Sequence, residues 1–299
     1  MKPLDDTAPD SVSSDSDELL TSRKKNLINR VVSAVIALPF LFICIWQGGV
    51  WLTVLLAALA ILGTLEFLIL FGIRSFWLRA IWSGFAALIV LDLGLRILAL
   101  ALPISDAIPV LTLCFYYVGF GIVLLSFWFL IDRNRKAPFI MAGSLFIGLT
   151  LSHAILLRNL DNGALWLSLA VVAVFTVDSS AYFVGRSIGK RRMVPKISPN
   201  KTWEGAIGGM IGGVISVLAF TSLSSLSLSI NLGGAIVLGL VIGLAAQTGD
   251  LIESKFKRMR NVRESGTLIP GHGGILDRLD SALLPLILVY YAVEWLIIS

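Results

Sequence analysis

This sequence predicts an all-α, polytopic integral membrane protein of about nine transmembrane helices. Three observations carry the prediction. Of 299 residues, 57% are hydrophobic and only 14% charged, where a soluble domain carries roughly 25% charged residues. The apolar residues gather in runs close to the ~20 that a helix needs to cross ~30 Å of hydrocarbon. The basic residues crowd into alternate linkers between those runs. A soluble domain of this size could not bury so much apolar surface, and a disordered chain needs low hydrophobicity.

Residues 1–22 stand apart. They hold Asp5, Asp6, Asp10, Asp15, Asp17 and Glu18 among serines, with Lys2 as the only basic residue. With no apolar run, the segment is no signal peptide and reads as a disordered acidic tail. Nine apolar runs follow, at 28–46, 49–71, 77–101, 107–131, 137–157, 164–184, 204–225, 229–249 and 280–298. Only Gln47-Gly48-Gly49 separates the first two, which predicts a hairpin. Lipid offers backbone polar groups no partner, so each run must be a helix. The period-2 alternation of a barrel is missing from the sequence.

The linkers set the orientation. Arg23, Lys24, Lys25 and Arg30 precede the first run, Arg74 and Arg79 follow the second, and Arg133, Arg135 and Lys136 follow the fourth. Six basic residues follow the sixth run, and Lys255, Lys257, Arg258, Arg260 and Arg263 follow the eighth. The opposite linkers carry Arg158 alone. The positive-inside bias then places the N-terminus in the cytoplasm and the C-terminus outside, which requires an odd helix count. Residues 23–160 make the N-terminal helices. Residues 161–299 make a C-terminal region with two basic cytoplasmic loops.

Several features read as structure. GAIGGMIGG, from Gly205 to Gly213, spaces small residues for close helix contact. Asp92 and Arg96 are four apart on one helix face and are placed to pair. Glu66, also within an apolar run, is expected to face the protein interior or water. Cys44 and Cys114 lie in apolar runs and form neither a zinc spacing nor a disulfide framework.

Chemistry concentrates after position 175. Asp178 lies deep in an apolar run, which marks a functional position by default. The next segment carries Arg186, Lys190, Arg191, Arg192, Lys196 and Lys201 interleaved with Gly, Ser and Thr. Ser198-Pro199-Asn200-Lys201-Thr202 then leads into a helix N-terminus, where free N–H groups and the helix dipole suit phosphate. In a second cluster, residues 247–281, Asp250 is expected to close the eighth helix and Asp277 and Asp280 to open the ninth. Carboxylates beside a polyphosphate-sized basic patch would repel the substrate unless a cation bridges them. Oxygen ligands of this kind favour magnesium, bound by one or two carboxylates plus substrate phosphates. That is the chemistry of phosphoryl or nucleotidyl transfer.

At these residues the sequence resembles one family closely. SKFKRMRNVRESGTLIPGHGGILDRLD, Ser254 to Asp280, is similar to the signature of phosphatidate cytidylyltransferases, and DSSAYFVGRSIGK and SPNKTWEG upstream resemble the same family. Where that family usually has Lys-Asp, this chain has Arg263-Glu264, which keeps both charges and changes reach and donor geometry.

The resemblance implies a catalytic C-terminal half and an inner-membrane enzyme that transfers cytidylyl from CTP to phosphatidic acid at the cytoplasmic face. It implies Asp250 and Asp277 as ligands of magnesium, with space for a second cation and with Asp280 and Asp178 in support. It implies Lys201, Lys257, Arg258 and Arg263 as holders of phosphate, and Ser198 and Thr202 as orienting groups. His272 stands between phosphate contact and a turn cap. Membrane lipids are expected partners, nucleic acid is not, and a homodimer is allowed. A transporter, or a nucleotidyltransferase for another lipid phosphate, is the alternative. Transporter sites, however, lie near the midplane between repeats, whereas the polar residues here gather at one face.

Overall fold

The computed structural model describes residues 35–100, 110–131, 137–223, 228, 230–262, 265–266 and 274–295. The expected acidic tail, Arg263 and His272 lie outside the described residues. Among the described residues the helices are α1 (Val35–Gln47), α2 (Gly49–Leu70), α3 (Phe76–Leu100), α4 (Val110–Ile131), α5 (Ala137–Asn159), α6 (Gly163–Ile188), α7 (Trp203–Leu223), α8 (Leu232–Met259) and α9 (Leu276–Val293). A short hairpin of β1 (Arg192–Val194) and β2 (Ser198–Thr202) joins α6 to α7. The fold is all-α, as the apolar runs require.

Six helices, α2, α3, α5, α6, α7 and α8, are long and apolar enough to cross a membrane. In α1 and α4 the described apolar stretches are shorter, Val35–Gln47 and Tyr116–Ser126. The 18 residues of α9 include Asp277, Arg278 and Asp280 near its start. Six spans therefore stand on length and composition among the described residues, where nine were expected. Exposed apolar stripes fit a lipid surround: Ile207, Ile211 and Ile215 line one side of α7 at 53–58% exposure. Soluble monomers rarely leave large apolar patches uncovered.

Helices α6, α7 and α8 pack side by side, α9 lies against α8 and α5, and α2, α3 and α5 form the neighbouring group. The glycine stripe of α7 does what its spacing suggests. A Cβ on Gly205 would lie 2.8 Å from the Ala181 carbonyl oxygen, and one on Gly213 2.7 Å from that of Gly239. Asp92 and Arg96 pair at 2.8 Å, and the Tyr117 hydroxyl donates to Asp92 at 2.5 Å. Arg158, at the end of α5, donates to the carbonyl oxygens of Ile45 and Trp46 at 2.6 and 2.9 Å. It thereby satisfies acceptors left over at the end of α1.

Two boundaries differ from expectation in ways that matter for chemistry. Asp250 does not close α8, because the helix continues to Met259. Residues 251–259 leave the apolar pattern but are mostly good helix formers, so the chain stays helical after its hydropathy falls. Asn261 ends it in the left-handed conformation, φ 56°, with Val262 N–H donating to the Lys257 carbonyl at 3.1 Å. That is a Schellman-type cap, built on Asn where Gly is usual. The segment between α6 and α7, expected as a plain loop, contains the antiparallel hairpin, with Arg192 opposite Thr202 and Val194 opposite Ser198. Its turn is closed by Ile197 N–H donating to the Val194 carbonyl at 3.0 Å, with Pro195 supplying the fixed φ favoured at that position.

Candidate active site

The last turns of α8 carry Gln247, Asp250, Glu253 and Lys257. Offsets of three and four residues put them on one helix face. The start of α9 presses against that face so closely that a Cβ on Gly249 would run into the Asp280 carbonyl. Gly249 is what lets α9 bring Asp280 alongside.

Carboxylate oxygens of Asp250, Glu253 and Asp280 lie within 4.8 Å of one another. Lys201, delivered by β2, sets its Nζ 2.7 Å from Asp250 Oδ2 and 3.5 Å from the Gln247 carbonyl oxygen. Lys257 Nζ is 2.7 Å from Glu253 Oε2 and 3.0 Å from Asp277 Oδ1. Glu253 is 5% exposed, and its Oε1 has no hydrogen-bond donor among the described residues. Asp178 of α6 adjoins the group, next to the Ser281 hydroxyl and within electrostatic reach of Asp280, Asp250 and Lys201. Three carboxylates this close repel one another, and a buried oxygen without a donor is costly. Both conditions are relieved by a cation, so Asp250, Glu253 and Asp280 are a set that could hold a metal ion.

The expected site residues divide into those at the cluster and those beside it. Asp250, Asp280, Lys201, Lys257 and Asp178 come together. Asp277 shares Lys257 with Glu253 and lies within hydrogen-bonding reach of Glu253 itself, and its oxygens accept from Ser265 N–H at 3.1 Å and Gly274 N–H at 2.9 Å. Arg258 donates through Nε to the Ile197 carbonyl at 3.0 Å and through a terminal nitrogen to that of Val262 at 3.3 Å. It ties the end of α8 to the hairpin. Thr202 is buried, and its hydroxyl accepts from Gly205 N–H at 3.1 Å, which makes it the N-cap of α7. A Cβ on Gly189 would lie 2.6 Å from that hydroxyl oxygen, so a glycine of the GRSIGK stretch makes room for the cap. Ser198 is half-buried at the start of β2.

Glu253 is the cluster residue that sequence reasoning passed over. The signal was present: it follows Asp250 by three and precedes Lys257 by four. Beside the cluster lies a cavity of about 370 Å³ between α2, α5, α8 and α9. Phe67, Ala142, Phe146, Ile252, Phe256 and Leu283 give it an apolar wall, and Glu253 and Asp280 belong to the same lining. Phe139, Phe146 and Ile252 at its rim are exposed to the outside of the bundle.

A model of the cytidylyltransferase family matches residues 28–296. This chain belongs to that family. A phosphatidate cytidylyltransferase of Brucella abortus biovar 1 is 33% identical over 266 residues, 89% of this chain and 92% of the relative. One from Staphylococcus haemolyticus is 31% identical over 256 residues, 84% of this chain and 93% of the relative. One from Bacillus subtilis is 37% identical over 177 residues, 58% of this chain and 65% of the relative. The cytidylyltransferase match takes in the N-terminal helices as well as the cluster, so Glu66 and Asp280 fall within one family-wide region.

Proposed function

We propose that this chain transfers a cytidylyl group from CTP to phosphatidic acid, giving CDP-diacylglycerol and pyrophosphate. One juxtaposition supports the reading best: a cluster of carboxylates and lysines shares its wall with an apolar cavity that opens at the side of the bundle. A lipid phosphate needs both environments at once. In the reaction, a phosphate oxygen of phosphatidic acid attacks the α-phosphorus of CTP. The bond from that phosphorus to the pyrophosphate oxygen breaks, and pyrophosphate leaves with the electron pair.

Transfers of this kind depend mainly on positioning and charge neutralisation. Among the described residues, Lys201 and Lys257 are the cations paired with the cluster, and each can exchange a carboxylate partner for a phosphate oxygen. Asp250, Glu253 and Asp280 would hold magnesium, with Asp277 next to them across Lys257. Magnesium, when bound, neutralises phosphate charge. Arg258 and Thr202 act by fixing the hairpin and α7, which fixes Lys201 between them. Purified protein given CTP, phosphatidic acid and magnesium should form CDP-diacylglycerol and pyrophosphate in equal amounts. Absence of both products would sink the reading.

The proposal includes nine spans, a cytoplasmic N-terminus and a site at the cytoplasmic face of the inner membrane, supported by the alternation of basic linkers. Reporter fusions at Asn231 should signal the periplasm and at Arg135 the cytoplasm. A cytoplasmic signal at Asn231 would overturn that topology.

The cavity would take the acyl-glycerol part of the lipid. Ala142→Trp, at the rim, should lower kcat/KM for long-chain phosphatidic acid about tenfold, as expected when a pocket loses room for apolar groups. A water-soluble short-chain analogue should be affected less than threefold by the same estimate. Equal losses with both substrates would exclude the cavity as the lipid's place.

A further inference from the structure

Glu66 lies among apolar residues in the last two turns of α2 and is 2% exposed. Its carboxylate accepts from the Ser265 hydroxyl at 3.0 Å, from Ile275 N–H at 2.9 Å and from Leu276 N–H at 2.8 Å. Ile275 is the N-cap of α9 and supplies no side-chain cap. The free donors of that first turn are therefore satisfied from another helix, 209 and 210 positions earlier in the chain. The positive end of the α9 dipole favours the same carboxylate. Two glycines shape its cradle. A Cβ on Gly266 would lie 2.7 Å from Glu66 Oε1, and one on Gly274 would strike both Glu66 Oε2 and Ser265 Oγ. Asp277 accepts from backbone N–H groups of Ser265 and Gly274, so Glu66 and Asp277 grip the same two points of chain.

We propose that Glu66 is a positioning residue for cytidylyl transfer: through Ser265 and the first turn of α9 it fixes where Asp277 and Asp280 stand. The inference rests on the proposed reaction for its consequence, while the clasp rests on geometry alone. Glu66 lies behind the start of α9 and acts through that turn. Its loss should therefore disturb turnover more than CTP binding, since misplacement of about 1 Å can cost about a hundredfold.

The test compares Glu66→Gln and Ser265→Ala with Arg158→Ala, which weakens the protein at the end of α1. Kinetics with CTP and phosphatidic acid are read beside amide hydrogen exchange at Ile275 and Leu276. Glu66→Gln should lower kcat about thirtyfold with the KM for CTP within about threefold, and Ser265→Ala should lower kcat about fivefold. Exchange at both amides should rise about tenfold or more in Glu66→Gln. Arg158→Ala should lower the thermal midpoint and leave kcat within about twofold. A folded Glu66→Gln with wild-type kcat overturns the proposal, as does a fall in kcat that Arg158→Ala reproduces at equal loss of stability. Should Glu66→Gln not fold, unchanged kcat and exchange in Ser265→Ala overturn it instead. Wild-type protein that forms no pyrophosphate removes the reaction, and the exchange comparison still decides the clasp.

Discussion

Asp250→Asn should lower turnover about a hundredfold or more, roughly 2.7 kcal/mol on the barrier. Asn keeps the size of the side chain and one acceptor oxygen but removes the negative charge that a divalent cation requires. Asp250 belongs to the close carboxylate set with Glu253 and Asp280, and it also holds Lys201 at 2.7 Å. The pair is partly exposed, so its loss should change stability by about 1 kcal/mol or less. Turnover is measured at saturating CTP and phosphatidic acid across a magnesium titration, with the thermal midpoint beside it. Asp277→Asn carries an expectation of the same size, roughly a hundredfold, because Asn would turn a donor toward the amides of Ser265 or Gly274 or toward Lys257. Near-normal turnover of Asp250→Asn at low magnesium would show that Asp250 is no ligand.

Lys257→Met should cost stability as well as activity. The ammonium lies between Glu253 and Asp277, and all three side chains are largely buried. Removing one partner from a buried charge group typically costs about 3–5 kcal/mol, because the remaining charges stay uncompensated. Met preserves the length and most of the volume, so lost packing contributes little. A divalent cation binding the exposed carboxylates would restore part of the loss by mass action. The expected result is a strongly lowered thermal midpoint that rises more steeply with magnesium than that of the wild type. A midpoint within two or three degrees of wild type, and no greater response to magnesium, would mean that Lys257 does not balance this cluster.

What the sequence made legible was whatever depends on local pattern. The apolar runs mark helices because lipid leaves the backbone no alternative, and Asp92 with Arg96 needs only a helical offset. Asp250, Asp280 and Lys201 stood out because polar groups are scarce in this chain, and the fold brings the three together. What stayed hidden depends on partners distant in sequence. The partners of Glu66 lie about two hundred residues away, so its burial could be read but not its task. Thr202 was read as a phosphate-orienting group, and its capping of α7, with Gly189 making room for the hydroxyl, was not read. The hairpin was missed because its strands are three and five residues long and the second holds Pro199 and Asn200, which are rare in strands. The run-on of α8 was missed because hydropathy, which marks where a helix is greasy, does not mark where it ends.

The reach from α2 to α9 also bears on how the molecule is made. Synthesis proceeds from the N-terminus, and early segments fold first. Glu66 therefore enters its helix group long before Ser265, Ile275 and Leu276 have left the ribosome. Until they arrive, the nascent chain holds a carboxylate in an apolar run with those three donors still missing. Docking of α9 supplies the Ile275 and Leu276 amides together, and the same docking brings Asp277 and Asp280 to the α8 face that carries Glu253. A product truncated before α9 would leave Glu66, 2% exposed in the full fold, without the Ile275 and Leu276 amides that satisfy it.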